Sequence, residues 1–255
     1  MAQIFGLHPF WLFVLFAVFG VVAQLVGLAG LAFFSRNAPV PTRAIPVPNF
    51  AATITTAWAL SLGFAAADIW NANSQARLAA AEERSAIARI AGIAGPTMLD
   101  QPEMIVSLRA YKDAVRDREW GQDRNAQPDR QADLAVEAIR TQIVILALDG
   151  TPDSLIAKMT DDFDQLQDAR SARLALGQGP RTDYKWYLVL FLTFLSQIAL
   201  ASVHADRPRG GHRAIAIFSI AAAFSLWILA LHANPYVGAA RIDFDEVRSL
   251  PLPDA

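Results

Sequence analysis

Residues 50–95 read FAATITTAWALSLGFAAADIWNANSQARLAAAEERSAIARIAGIAG, and the stretch changes character halfway along. Phe50 to Trp70 is apolar and long enough to cross a bilayer, which takes roughly 20 residues. At Asp68, Trp70, Asn71, Asn73 and Gln75 it turns polar, with no Gly or Pro to stop a helix. It then runs on, rich in Ala, Arg and Glu, until Gly95-Pro96 supplies a terminator. The stretch predicts one helix that leaves a membrane and becomes the first helix of a polar bundle.

Working outward, Pro9 to Phe34 is a longer apolar run with Gln24 as its only strongly polar residue. It lacks the basic start and small-residue cleavage site of a signal peptide, so it reads as an uncleaved span. Gly20, Gly27 and Gly30 in it allow close helix approach. Ser35 to Asn49 carries Pro39, Pro41, Pro46 and Pro48 and reads as a non-helical connection outside the lipid. Asp183 to about Ala205 is a third span, with Tyr184, Trp186 and Tyr187 as an interfacial aromatic belt. Asp206 to Arg213 reads as a tight polar turn, and Ala214 to Leu231 as a fourth span.

Between the second and third spans the apolar residues recur at helical spacing. Met104, Leu108, Tyr111 and Val115 share one face. Ala132, Val136, Ile139, Ile143 and Leu146 share another, and Leu155, Met159, Phe163, Leu166 and Leu174 a third. Thr151 and Pro152 read as the N-cap and first residue of that last helix. No segment alternates with period two. The expected fold is an all-α polytopic membrane protein with four transmembrane helices and a helical extramembrane domain. The divisions are 1–70 for two spans and their connection, 71–183 for the helical domain, 184–233 for two further spans, and 234–255 for a tail.

Four spans put both termini and the helical domain on one side of the membrane. The short loops carry Arg36, Arg43, Arg207, Arg209 and Arg213 against Asp206, yet the domain side has Arg77, Arg84, Arg170, Arg173, Arg181 and Lys185 near the membrane. Charge bias therefore leaves the orientation open. The net charge of -2, with signs mixed along the chain, points to no nucleic-acid partner. There is no Cys, hence no thiolate chemistry. Histidines 8, 204, 212 and 232 sit near span edges without metal-pair spacing, and Asp161, Asp162 and Asp164 read as a solvated helix face rather than a calcium loop. With no phosphate loop, nucleophile elbow or metalloprotease motif, neither enzyme chemistry nor a cofactor or metal is expected.

The second span carries the remaining signal. Thr55, Ala59, Gly63 and Ala67 recur every four residues as a small-residue ridge for helix packing. On another face, Ala57, Leu60, Phe64, Asp68, Asn71 and Gln75 grade from small through apolar to acidic to amide. Polar residues at membrane depth line a protein interior or a water-filled path. A solvated Asp68 at the interface is the competing reading.

Four motifs resemble the bestrophin-like family of bacterial membrane proteins. They are WNANSQARLAAAEERSAIARI at 70–90, YKDAVRDREW from Tyr111 through Glu119 to Trp120, ARSARLAL at 169–176, and NPYVGAARIDFDEV at 234–247. The last holds Asn234, Pro235, Tyr236 and Gly238, with Tyr236 where the family pattern usually has Phe. The resemblance implies a homo-oligomeric, pentameric ion channel that passes inorganic ions. It implies second spans around the pore, and a domain and termini on the cytoplasmic face of the bacterial inner membrane. The lipid bilayer and further copies of the chain are the expected partners. An acidic ring at Asp68 would make the pore cation-preferring. The alternative is a non-conducting membrane sensor or scaffold with a helical interaction domain.

Overall fold

The structure is a computed structural model that describes residues 6–37, 46–121, 125, 127–178, 183–238, 240–242 and 244. Pro39, Pro41, Arg43, Arg181 and the tail beyond residue 244 lie outside the described residues. Seven α-helices and no strand form among the described residues: α1 (Pro9–Arg36), α2 (Pro48–Ala94), α3 (Pro102–Ala114), α4 (Arg130–Leu148), α5 (Asp153–Gly177), α6 (Asp183–Val203) and α7 (Pro208–Leu231). The fold is all-α. Helices α1, α2, α6 and α7 are each long and apolar enough to span a membrane, and the chain is an integral membrane protein. It divides into two compact units, Met1–Trp70 with Pro180–Ala233, and Asn71–Gly179 with Asn234–Ala255.

In the first unit α1 and α7 cross closely. Lipid tails are as apolar as leucine, so packing and hydrogen bonds rather than water exclusion hold membrane helices together. Small residues supply that closeness. A Cβ on Gly20 would stand 2.8 Å from Ala223 Cβ, and one on Gly27 2.9 Å from Gln197 Oε1. Gln197 Nε2 donates to Ser219 Oγ at 2.5 Å, tying α6 to α7, and the Trp58 indole of α2 donates to Thr193 Oγ1 at 2.9 Å.

The expected polar turn before the fourth span is shorter than its composition suggests, because α7 begins at Pro208. Proline at the first helical position loses no intrahelical hydrogen bond. Gly211 is helical and buried, where a Cβ would lie 2.8 Å from Leu31 Cδ2. The Gly residues here serve helix packing rather than a turn.

The second unit packs the lower part of α2 with α3, α4 and α5. Ile90, Met104, Leu108, Ala132, Ile139, Met159 and Leu166 are fully buried in one core, where each large apolar side chain contributes about 1.5–3 kcal/mol. Helix α4 starts at an Asp129 N-cap, whose carboxylate accepts from Gln131 N at 2.8 Å. It ends at Gly150, φ 82°, with Thr151 N bonded back to Leu146 O at 3.2 Å. That is a left-handed cap closing the helix end. Thr151 is thus occupied in the preceding cap, and Pro152 rather than Thr151 caps α5 through its carbonyl, bonded by Leu155 N and Ile156 N. Helix α3 widens into one π turn, Val115–Glu119, which the spacing of Tyr111 and Val115 did not announce.

Candidate functional site

Helix α2 packs within the chain through Ala51, Trp58, Ala65 and Ile69, all buried. Leu62 and Ala66 flank that seam half-buried, and the opposite side is exposed. Ala57, Leu60, Phe64, Asp68, Asn71 and Gln75 are all exposed, with Leu60 at 58% and Phe64 at 66%. The small-residue ridge is also uncovered: Ala59, Gly63 and Ala67 are exposed, and a Cβ on Gly63 would meet nothing within 4 Å. Thr55 is half-buried and bonds its own helix, at Ala51 O and Ala52 O. Within one chain this ridge therefore packs on no other helix. The intrachain seam is the face of Trp58, whose indole N–H needs an acceptor at membrane depth and finds Thr193.

Asp68 is paired: Lys185 Nζ donates to its Oδ2. The carboxylate side chain keeps 45% of its surface and the lysine 27%. Asp68 is therefore the more outward member of an ion pair, and not an unopposed acid. One turn on, Gln75 Nε2 reaches Asn71 Oδ1 at 3.5 Å.

The second unit holds an arrangement that sequence reasoning missed. Glu83 of α2 and Glu119 of the π turn are buried with Arg173 of α5 between them. Arg173 Nε donates to Glu83 Oε2 at 2.7 Å and Arg173 Nη2 to Glu119 Oε2 at 2.9 Å. Arg170 donates to the other Glu119 oxygen and to Asp133 Oδ1 at 2.7 Å. Asp129 N completes the shell, donating to Glu119 Oε1 at 2.8 Å. Tyr111, fully buried, donates its hydroxyl to Glu83 Oε1 at 2.6 Å. One network thus joins α2, α3 with its π turn, the start of α4, and α5. Burial works to raise the Glu119 carboxyl, but hydrogen bonds from Arg170 and Asp129 and the charge of Arg173 hold it below its ordinary value. Burial pushes the Tyr111 phenol well up, and the Glu83 charge adds to the shift.

Trp120 forms the outer wall of this network. Arg173 lies over its ring at 5.4 Å, and Tyr236 and Phe244 meet it edge-on at 5.6 and 5.3 Å. Its Nε1 donates to Ile242 O at 3.3 Å. Asn234 and Pro235 are buried, Asn234 Oδ1 accepts from Tyr236 N at 2.9 Å, and Gly238 takes φ 97° in the same turn. The motif residues Tyr111, Glu119, Trp120, Asn234, Pro235, Tyr236 and Gly238 thus belong to one neighbourhood.

Two aspartate and arginine readings change. Asp162 is not on a solvated face: its Oδ1 accepts from Arg89 Nε at 2.6 Å and Lys158 Nζ at 2.5 Å, and its side chain is fully buried, unlike exposed Asp161 and Asp164. Arg173, not Leu174, is the buried end of the α5 stripe, since the carboxylates of Glu83 and Glu119 are there to meet it. A signal for these groups was present. Glu83 lies in phase with Ala76, Ala79, Ala86 and Ile90, and Arg173 in phase with Met159, Leu166 and Ala169. A charge in register with an apolar stripe is a candidate for burial with a partner. The four histidines are spent locally: His8 accepts from Phe10 N, and ring nitrogens of His204, His212 and His232 each meet the carbonyl four residues back.

Comparison with solved structures finds the same fold. A crystal structure of a bacterial bestrophin homologue from Klebsiella pneumoniae, a point variant, superposes with a TM-score of 0.68 at 15% identity, covering 94% of each chain. A second structure, titled only as a membrane protein variant, gives 0.71 at 11% identity, covering 92% of this chain and 94% of that one. A third of the same description gives 0.69 at 15%, covering 89% and 94%. No curated protein matches the sequence. These likenesses show a shared all-α fold. The family model described as the Bestrophin-like domain matches residues 14–246, and the chain belongs to the bestrophin-like family.

Proposed function

We propose that the protein is a homo-oligomeric, pentameric ion channel whose pore is lined by α2 through Ala57, Leu60, Phe64, Asp68, Asn71 and Gln75. The observation that carries this reading is the uncovered half of α2. The small ridge of Ala59, Gly63 and Ala67 suits a neighbouring copy, and the adjoining graded face suits an axis. Leu60 and Phe64, about one turn apart, form successive apolar rings that gate by dewetting. At Asp68 the ring consists of ion pairs rather than bare acids. Because the carboxylate is the more exposed partner, the field on the open side is negative but partly cancelled by Lys185, giving a modest cation preference. Nothing in this reading calls for catalysis. The helical domain and both termini face the cytoplasm across the bacterial inner membrane.

The test is the subunit number of the detergent-purified protein by mass photometry, together with reversal potentials after reconstitution. Gly63→Leu, whose Cβ meets nothing of its own chain within 4 Å, lowers the subunit number while leaving the helical content intact. Phe64→Ala raises conductance, and Asp68→Asn moves the reversal potential toward anion preference. A monomeric wild-type protein, or a conductance indifferent to Phe64→Ala, rejects the pore.

A further inference from the structure

Around Arg173 the two buried glutamates have their oxygens engaged, while three buried donors do not. Glu83 Oε1 accepts from Tyr111 and Arg173 Nη2, and Glu83 Oε2 from Arg173 Nε. Glu119 is filled by Arg170, Arg173 and Asp129 N. Yet Arg173 Nη1, the Tyr236 hydroxyl and Asn125 Nδ2 are buried with no partner among the described residues. Arg173 and Asn125 have no exposed surface, and Tyr236 has 1%.

These three groups gather around one short piece of chain. Arg173 stacks on Trp120 and Tyr236 meets the same ring edge-on. Asn125 Oδ1 accepts from Gly121 N at 2.5 Å, next to Trp120. The Asn125 backbone packs on Gly177, one turn beyond Arg173, where a Cβ would collide with it. Leu176 of that turn packs against the cluster of Ala76, Tyr236 and Ile242. A buried polar group without a partner costs roughly 1–3 kcal/mol, so three in one neighbourhood call for a guest that satisfies them together. All three offer hydrogens. A water would bring two donors of its own into a place where the carboxylates are already engaged, so an acceptor without hydrogens fits better.

We propose that Arg173 Nη1, the Tyr236 hydroxyl and Asn125 Nδ2 form a binding site for a small inorganic anion of halide or nitrate size, beside the Trp120 ring. Burial pushes the Tyr236 phenol up, so the hydroxyl keeps its hydrogen and donates. The anion fastens Tyr236 and Asn125 to α5, so its occupancy sets how firmly those two residues are held. The site uses none of the pore-face residues of α2 and stands whether or not the chain conducts.

The test uses the full-length protein in detergent at fixed ionic strength, with gluconate replaced stepwise by chloride, bromide or nitrate. The expected result is a saturable rise in unfolding temperature with the small anions. In Tyr236→Phe, which keeps the ring, the half-saturating concentration rises about tenfold or more. In Asn125→Asp, which keeps the acceptor for Gly121 N, the rise in unfolding temperature disappears. Crystals grown in bromide show an anomalous peak within hydrogen-bond reach of Arg173 Nη1 and the Tyr236 hydroxyl. Equal stability in gluconate and halide overturns the proposal. So does density there without a bromide signal, which would be a water. A bromide peak equally strong in Tyr236→Phe would be an adventitious ion only, and would also overturn it.

Discussion

Replacing Glu119 by Gln changes one buried atom type and one charge, and the surrounding network determines the cost. In the native unit the negative Glu83 and Glu119 balance the positive Arg170 and Arg173. In Glu119→Gln the two guanidiniums lose the buried carboxylate they share, leaving Arg173 to Glu83 and Arg170 to the exposed Asp133. The new amide N–H₂ also faces guanidinium and Asp129 N donors, where a carboxylate oxygen had accepted. Breaking a buried pair by removing one member costs about 3–5 kcal/mol. For a chain of this size each kcal/mol moves the unfolding temperature by about 2–4 °C, so a drop of about 6–20 °C is expected. Trp120, over Arg173 at 5.4 Å, reports the transition by intrinsic fluorescence in a thermal ramp on the detergent-purified protein. The pH dependence has a definite sign. The Glu119 carboxyl is lowered in the folded protein from its ordinary 4.5, so its contribution is complete above 4.5 and fades as pH falls through the lower native value. The gap between wild type and variant is therefore constant from pH 7 to about 5 and closes below 4.5. Asp113→Asn is the control: it loosens the exposed Arg116–Asp113 pair at 2.9 Å and shifts the transition by no more than about 2 °C. A Glu119→Gln protein that unfolds within the range of that control at pH 7 refutes the argument that this network holds the unit together.

Tyr111→Phe removes the hydroxyl that donates to Glu83 Oε1 at 2.6 Å while keeping the ring, and costs about 1.5–3 kcal/mol in the same thermal assay. Gly211→Ala places a methyl 2.8 Å from Leu31 Cδ2 and forces α7 off α1, lowering the unfolding temperature in micelles by the equivalent of about 1–3 kcal/mol. Lys185→Gln removes the partner of Asp68 and shifts the reversal potential of the reconstituted protein toward stronger cation preference; an unchanged potential places that pair away from the ion path.

The sequence by itself determined the helices. Lengths of apolar run, the three-and-four spacing of Met104-Leu108-Tyr111, and stops at Gly95-Pro96 and Gly150 are local properties, and local properties are written in adjacent residues. It also displayed the open face of α2, because a gradient from Leu60 to Gln75 is visible along one helix. Which face of α2 packs within the chain is not written along that one helix. Small residues every four positions say only that a close approach is allowed, whereas the choice of Trp58 over Gly63 depended on Thr193, which is 135 positions away. The charge network was hidden for the same reason. Glu83 and Arg173 are separated by 90 positions, and each alone looks like a residue for solvent. Only folding sets the carboxylate against the guanidinium, and a charge is stable inside a protein only with such a partner. The donors left over at Arg173, Tyr236 and Asn125 are likewise a product of assembly, since an unmet hydrogen bond exists only once every other bond has been made.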